Sequence, residues 1–90
     1  MRRAAKRDLN EKEIVEQLRA VPGVSVFTLN QEGRPDLLVG YRGRTYLADV
    51  KRHGGHWTPL QVAFNERWLG SPVIWAETVE EILRAIGAMS

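Results

Sequence analysis

The sequence predicts a single α/β domain with a mixed four-stranded sheet, helices on both faces and the element order α-β-β-β-α-β-α. Its 90 residues are enough for one domain and too few for two. Three apolar runs within residues 24–51 are separated only by short turns, which predicts an antiparallel meander. A fourth run follows an intervening helix, so it can pair parallel with the third run through a right-handed crossover.

The first helix is predicted over residues 10–20, at the start of a domain that spans residues 10–90. Residues 1–9 are interpreted as a basic N-terminal arm, and Asp8 or Asn10 as the cap of the helix. The proline and glycine at 22–23 end it. Its buried stripe follows from apolar side chains that recur at helical spacing, namely Ile14, Val15, Leu18 and Val21.

The remaining elements are bounded by turn and cap residues. Strands are expected at 24–29, 35–41, 45–51 and 72–76, and the glycine-containing stretch 42–44 forms the central hairpin turn. Thr58 caps a second helix that begins at Pro59, has an apolar line of Leu60, Phe64 and Trp68, and stops at Gly70. Thr78 and Glu81 form a capping box for the last helix.

The composition excludes several classes of protein. The chain has no cysteine, so disulfides and thiolate zinc sites are excluded, which is compatible with a reducing cytoplasm. No apolar run approaches the ~20 residues of a membrane span, and the N-terminus lacks the apolar core of a signal peptide. We therefore expect a cytoplasmic protein without a membrane partner.

Positive charge is concentrated in two places, although the net charge is only +2. One is the N-terminal arm, with Arg2, Arg3, Lys6 and Arg7. The other surrounds two central carboxylates and comprises Arg34, Arg42, Arg44, Lys51 and Arg52. Positive charge beside an acidic centre suits a polyanion held over a metal ion, so these arginines are candidate nucleic-acid contacts. The alternative is that they are ordinary solvated surface arginines.

The central hairpin carries the chemistry. Asp36 opens one of its strands, and Asp49 and Lys51 close the other. Residues i and i+2 of a strand share a face, so Asp49 and Lys51 point the same way, roughly 7 Å apart along the chain. Strand pairing brings Asp36 close to Asp49, where the two acids should repel each other and one pKa should rise. A hard divalent cation acting on a phosphodiester explains this arrangement.

Mg²⁺ is the expected cation because it prefers carboxylate oxygens and retained waters. Asp36, Asp49 and the backbone carbonyl of Val50 are the proposed ligands, and Glu11 can extend the acidic cluster from the first helix. Lys51 would orient the attacking water or neutralise the phosphate. The alternatives are that an Asp-x-Lys triplet arises by chance and that Glu11 only stabilises the first helical turn.

Other side chains near the hairpin have two interpretations each. Gln61 is either the third member of a capping box or an active-site residue, and both roles can hold together. His53 and His56, on a glycine-rich loop, are candidate phosphate contacts or plain solvated residues, and are weak evidence for zinc. Trp57 either stacks on a base or packs as a hydrophobic staple.

Several ordered motifs resemble a known superfamily. Gly-Arg-Pro-Asp at 33–36, Leu-Leu-Val-Gly at 37–40 and Asp-Val-Lys at 49–51 resemble the PD-(D/E)XK nucleases. The spacing and the Thr-Pro-Leu-Gln segment at 58–61 are similar to the VRR-NUC domain, a virus-type replication-repair nuclease found in bacteriophages and some repair proteins. Asn-Glu-Lys-Glu-Ile at 10–14 resembles the opening of its first helix and that of archaeal Holliday-junction resolvases, which favours Glu11 over Glu13.

The resemblance covers residues 10–86 and implies a fold, a cofactor and an activity. The fold is a three-layer α/β/α restriction-endonuclease-like core, and the activity is Mg²⁺- or Mn²⁺-dependent DNA cleavage, often of branched or flapped DNA. Carried over by position, the metal ligands are Glu11, Asp36 and Asp49, the catalytic lysine is Lys51, and Gln61 is the family's glutamine. Asp49 stands where the family more often has glutamate, so its carboxylate is retracted by one methylene.

We therefore expect a metal-dependent endonuclease for structured DNA, with Holliday junctions among its candidate substrates, from a bacterial or phage-infected cell. The resemblance to junction resolvases also implies a homodimer, because cutting a four-way junction on two strands requires two sites. One alternative is a nicking or restriction-type nuclease on duplex DNA, which no sequence feature separates from a junction enzyme. The other is a non-catalytic DNA-binding or assembly module on the same fold.

Overall fold

The computed structural model describes the backbone of residues 2–90 and the side chains of residues 10–90. The predicted order of elements is confirmed. The elements are α1 (Arg2–Arg19), β1 (Val24–Thr28), β2 (Leu37–Tyr41), β3 (Arg44–Val50), α2 (Pro59–Arg67), β4 (Ile74–Ala76) and α3 (Val79–Ile86). Within the described range, none of these helices is both long and apolar enough to cross a membrane.

The four strands form one mixed sheet, as the sequence predicts, and their order is β1-β2-β3-β4. The first three strands are antiparallel, and β4 runs parallel to β3. The turn between β2 and β3 contains only Arg42 and Gly43, both with positive φ (52° and 79°). Two-residue turns of this kind match the twist of the flanking strands. Arg44 therefore belongs to β3 and not to the turn.

One face of the sheet carries the apolar core. Alternate strand residues point to this face, where they meet α1 and α3. Ile14, Val15 and Leu18 of α1 are all buried, as predicted, whereas Val21, the fourth residue of the predicted stripe, lies beyond the end of the helix and is only half-buried. The other core residues are Val26, Leu37, Val39, Ala48, Ala76, Ile82 and Ile86. Tyr46 packs against this core and donates its hydroxyl to the carbonyl of Ile86 at 3.4 Å.

Helix α1 begins at Arg2, so the expected helix start at residue 10 is wrong. Residues 2–9 contain alanine, leucine, lysine and arginine and no glycine or proline, so helical propensity continues through them. Asp8 and Asn10 are accordingly interior residues of the helix and not caps. The side chains of the predicted basic arm lie outside the described residues.

The opposite face of the sheet carries Leu47, Asp49 and Trp75, and α2 lies on this side. No residue of α2, all of which is described, is buried. Leu60 is 53% exposed and Trp68 is 40% exposed, so the predicted apolar line exists but is not covered. The first turn of α2 contacts the end of the hairpin through Gln61, which hydrogen-bonds to Lys51 and Asp49.

Candidate functional site

Asp36 and Asp49 lie side by side, as expected from pairing of the two strands. Leu37 is opposite Ala48 in the β2–β3 ladder, which brings the residues flanking that pair together. The backbone N–H of Asp36 donates to Oδ1 of Asp49 at 3.1 Å. The backbone N–H of Val50 donates to Oδ2 of Asp36 at 2.8 Å. Each carboxylate is thus fixed by the main chain next to the other.

Asp49 is 1% exposed, and its pKa is raised from 3.8 to about 7. The largest cause is desolvation by burial, and the negative charge of Asp36 adds to it. Lys51 acts in the opposite direction, because its positive charge stabilises the ionised carboxylate. The rise in one carboxyl pKa predicted from the sequence is therefore present, but burial contributes more to it than charge repulsion does.

Lys51 joins the carboxylates through Gln61. The Lys51 ammonium donates to Oε1 of Gln61 at 2.6 Å and to the backbone carbonyl of His56 at 3.4 Å. The amide nitrogen of Gln61 in turn donates to Oδ1 of Asp49 at 3.4 Å. A continuous network therefore runs from Lys51 through Gln61 to Asp49 and Asp36.

Gln61 forms the predicted capping box and also contacts two of the predicted site residues. Its Oε1 accepts the backbone N–H of Thr58 at 2.9 Å, and its own N–H donates to the Thr58 hydroxyl at 3.2 Å. This is a complete capping box at the start of α2. The same side chain contacts Lys51 and Asp49, so the fold of the helix start and the geometry of the site depend on one residue.

Two tryptophans flank the Lys51 ammonium. It lies 5.4 Å from the ring centroid of Trp57 and 5.8 Å from that of Trp75, distances typical of cation–π contacts. The two rings make an edge-to-face pair with centroids 5.1 Å apart. Trp57 therefore packs on the sheet beside Lys51. Sequence reasoning missed Trp75, because its place depends on the β3–β4 register that sets it opposite Asp49.

Two adjacent carboxylates are the kind of ligand set that Mg²⁺ prefers, because this ion is usually held by one or two carboxylates and completes its coordination with waters. A cation there would also relieve the unfavourable burial of negative charge on Asp49. Among the described side chains, no group of three or more acidic or histidine residues is placed to hold a metal ion. Val50 follows Asp49 in the sequence and donates its backbone N–H to Asp36. Its carbonyl stays a predicted ligand.

Glu11 does not complete a three-carboxylate cluster with Asp36 and Asp49. It lines a depression between α1 and β1 together with Val15, Arg19 and Thr28. Thr28 pairs with Leu37, so this depression is at the same end of the sheet as Asp36. The predicted metal role of Glu11 therefore has no direct geometric support in this arrangement.

The predicted nucleic-acid contacts fall into two groups. Arg34 lines the same depression as Asp36 and Gln61. Arg42 and Arg44 lie at the opposite end of the hairpin, because Tyr41 pairs with Arg44 whereas the acids flank the far end of the ladder. The structure thus does not bring these two arginines to the carboxylates.

The loop after Lys51 carries the other three predicted contacts, Arg52, His53 and His56, all of which are exposed. His53 is 98% exposed and lies 3.4 Å from the carboxylate of Glu77, which also accepts the indole N–H of Trp75 at 3.3 Å. In the described part of the chain the histidines belong to no metal-binding group. Their contact with phosphate stays a prediction.

Comparison of the chain with protein-family models, curated proteins and solved structures finds no match. The assignment of function therefore depends on the residues of the site and their geometry.

Proposed function

We propose that this chain is a divalent-metal-dependent endonuclease that hydrolyses phosphodiesters in structured DNA, four-way junctions included. The supporting observation is the hydrogen-bonded network that links Lys51, Gln61, Asp49 and Asp36 at one end of the hairpin. On this proposal the mixed sheet and three helices are a small restriction-endonuclease-like core of the VRR-NUC type.

The proposal gives each residue of the network a role. Asp36 and Asp49 would hold Mg²⁺ or Mn²⁺, which supplies charge neutralisation on the phosphate and an activated water. Lys51 presents its ammonium group next to these acids, where it can contact a phosphate oxygen or orient the attacking water. Gln61 fixes the position of that ammonium through its 2.6 Å hydrogen bond. Burial of Asp49 keeps bulk water from competing at the site.

A homodimer belongs to the same proposal when the substrate is a four-way junction. Such a junction has to be cut on two strands, and two-fold symmetry provides two equivalent sites. A nuclease for ordinary duplex DNA and a DNA-binding module without activity are the competing functions. A binding module has no need for a buried carboxylate beside a second one, since negative charge opposes contact with a polyanion.

A cleavage assay tests the proposal. Purified protein is incubated with labelled four-way junction, flap and linear duplex in Mg²⁺, Mn²⁺ or EDTA, alongside Lys51→Ala and Asp49→Asn. Arg84→Ala, which changes an exposed residue of α3, is the matched control. We expect metal-dependent cutting by the wild type and the control and loss of cutting in both site variants. Metal-independent cutting, undiminished cutting by both variants, or tight binding without cutting would overturn the proposal.

A further inference from the structure

A groove runs along α2 beside the candidate active site. Its walls come from the loop before β2 and from one face of α2, where residues 60, 63, 64, 67 and 68 recur at helical spacing. Its volume is about 420 Å³, within the ~300–1,000 Å³ range of ligand sites. A second depression, lined by Arg34, Asp36 and Gln61, continues it to Asp36, one of the proposed metal ligands.

Two aromatic rings form the far wall of this groove. Phe64 and Trp68 are stacked, with ring centroids 5.5 Å apart and an angle of 19° between their planes. The indole N–H of Trp68 donates to the carbonyl of Ser71 at 2.7 Å, which fixes the orientation of the ring. Gly70 lies close to the Nε1 side of the indole, where a Cβ would stand 2.5 Å from Cζ2 of the ring. The ring of Trp68 is therefore fixed in orientation and 40% exposed, and it is not part of the core.

Positive charge accompanies the rings. Arg34 and Arg67 both line the groove. Among the described residues that line it, Glu32 is the one with a carboxylate. Cations next to an exposed aromatic ring are the combination with which proteins bind single-stranded nucleic acids: the cations contact phosphates and the rings stack on bases. A groove for an apolar peptide would not require this excess of positive charge.

We propose that this groove binds a single-stranded segment of DNA that adjoins the cleaved phosphodiester, with a base stacked on Trp68. The inference rests on the proposed nuclease function and, among structured DNA substrates, favours those with an unpaired arm, such as flaps, over fully paired four-way junctions. From Gln61 to Trp68 the helix rises roughly 10 Å, at 1.5 Å per residue. That distance corresponds to about three stacked nucleotides at ~3.4 Å each.

A single strand fits this site better than a duplex does. Bases within a duplex are already stacked on their neighbours, so an exposed tryptophan face gains little from them. An unpaired base offers a free ring face, and stacking on an aromatic side chain is indifferent to its sequence. The continuity of the groove with Asp36 and Gln61 then leads the unpaired strand away from the metal ligands.

Binding without catalysis tests the inference. Fluorescence anisotropy in EDTA measures the affinity of the full chain for a labelled single-stranded oligothymidine and for a duplex of equal length. We expect Trp68→Ala to weaken single-strand binding at least about fivefold and to change duplex binding less than twofold. Trp68→Phe should retain most of the affinity. Leu69→Ala, which changes the adjacent and 94% exposed side chain, is the matched control and should bind as the wild type does.

Two further measurements keep the outcome interpretable if Trp68→Ala fails to fold. Arg67→Ala should weaken single-strand binding and reduce its salt dependence, whereas Arg84→Ala on α3 should not. Sedimentation of the wild type and Trp68→Phe measures self-association. Equal losses for single strand and duplex, no loss in the groove variants, or a groove occupied by a second copy would overturn the inference.

This test is separate from the cleavage assay. Groove variants that bind single strands normally, in a chain that still cuts DNA, would reject the groove and leave the nuclease function standing. Selective loss of single-strand binding, in a chain that never cuts DNA, would reject the nuclease function and leave the groove as a binding site.

Discussion

The backbone N–H of Asp36 donates to the carboxylate of Asp49 at 3.1 Å. The relationship is nearly reciprocal, because the carboxylate of Asp36 accepts the N–H of Val50, the next residue after Asp49, at 2.8 Å. The hairpin therefore fixes two acids beside each other with main-chain hydrogen bonds, at a place where one of them is almost fully buried. Burying one carboxylate beside another lowers the stability of the fold, and conflicts of this kind are typical of functional sites. On our proposal, a bound cation would offset the cost.

The stability of the metal-free protein should fall as the pH rises from about 4 to about 7. The pKa of Asp49 is raised from 3.8 to about 7, so the folded state binds a proton more tightly than the unfolded state. Its contribution is complete below the unfolded pKa and is lost as the pH rises through the folded pKa. The loss is up to about 4 kcal/mol, at ~1.4 kcal/mol per pKa unit. Urea unfolding in EDTA across this range measures it.

Asp49→Asn is the matched control for that measurement. It keeps a side-chain oxygen that can accept the Asp36 N–H but removes the titrating group. We expect its free energy of unfolding to vary much less between pH 4 and pH 7. An equal pH dependence in wild type and variant would assign the effect to another group.

Lys51→Ala should raise the pKa of Asp49 further, because the charge of Lys51 lowers that pKa in the wild type. Carbon NMR of the carboxyl group, followed through a pH titration in EDTA, measures the change. Lys12→Ala, which removes an exposed lysine from α1, should leave the pKa of Asp49 unchanged. A pKa of Asp49 unchanged by Lys51→Ala would show that the ammonium is not held near the carboxylate in solution.

Comparison of Thr58→Ala with Gln61→Ala separates helix capping from the site. Thr58→Ala removes the hydroxyl that accepts the Gln61 N–H and should cost about 1 kcal/mol of stability, with cleavage close to that of the wild type. Gln61→Ala loses its part of the cap and the contact with Lys51, so cleavage should fall roughly tenfold or more. Urea unfolding and cleavage rates give the two readings. Equal cleavage by both variants would assign Gln61 to capping alone.

Gly33→Ala should destabilise the protein more than Gly43→Ala does. Both glycines have φ near +80°, so alanine is strained at each by about 1–2 kcal/mol. A Cβ at position 33 would also stand 3.0 Å from Cβ of Leu60, whereas nothing lies within 4 Å of one at position 43. The difference in free energy of unfolding isolates the contact between the Gly33 loop and α2. Equal losses would mean that α2 moves freely away from this loop.

The hairpin and the positions of Asp36 and Asp49 were predictable because they depend on residues that are close together in the sequence. Period-two alternation, a glycine-containing turn and the i, i+2 spacing of Asp49 and Lys51 place these side chains without reference to the rest of the chain. The role of Gln61 was predictable for the same reason, since a capping box is read from four consecutive residues. The burial of Ile14, Val15 and Leu18 on one side of α1 likewise follows from helical spacing alone.

Features that depend on long-range contact were not predictable. The place of Trp75 beside Lys51 follows from the register of the three-residue strand β4, which the sequence does not specify. The exposure of Trp68 depends on what covers α2, and its apolar spacing alone favours burial. The position of Glu11 next to β1 depends on how α1 packs against the sheet. The early start of α1 was missed because a basic composition was interpreted as an arm.

Binding of Mn²⁺ tests the central claim most directly, because the claim is that Asp36 and Asp49 share a divalent cation. Electron paramagnetic resonance counts free Mn²⁺ in titrations of the wild type, Asp36→Asn, Asp49→Asn and the control Arg84→Ala. We expect a site in the wild type and the control that is lost or strongly weakened in both aspartate variants. Undiminished Mn²⁺ binding by Asp36→Asn and Asp49→Asn, or none by the wild type, would contradict the account.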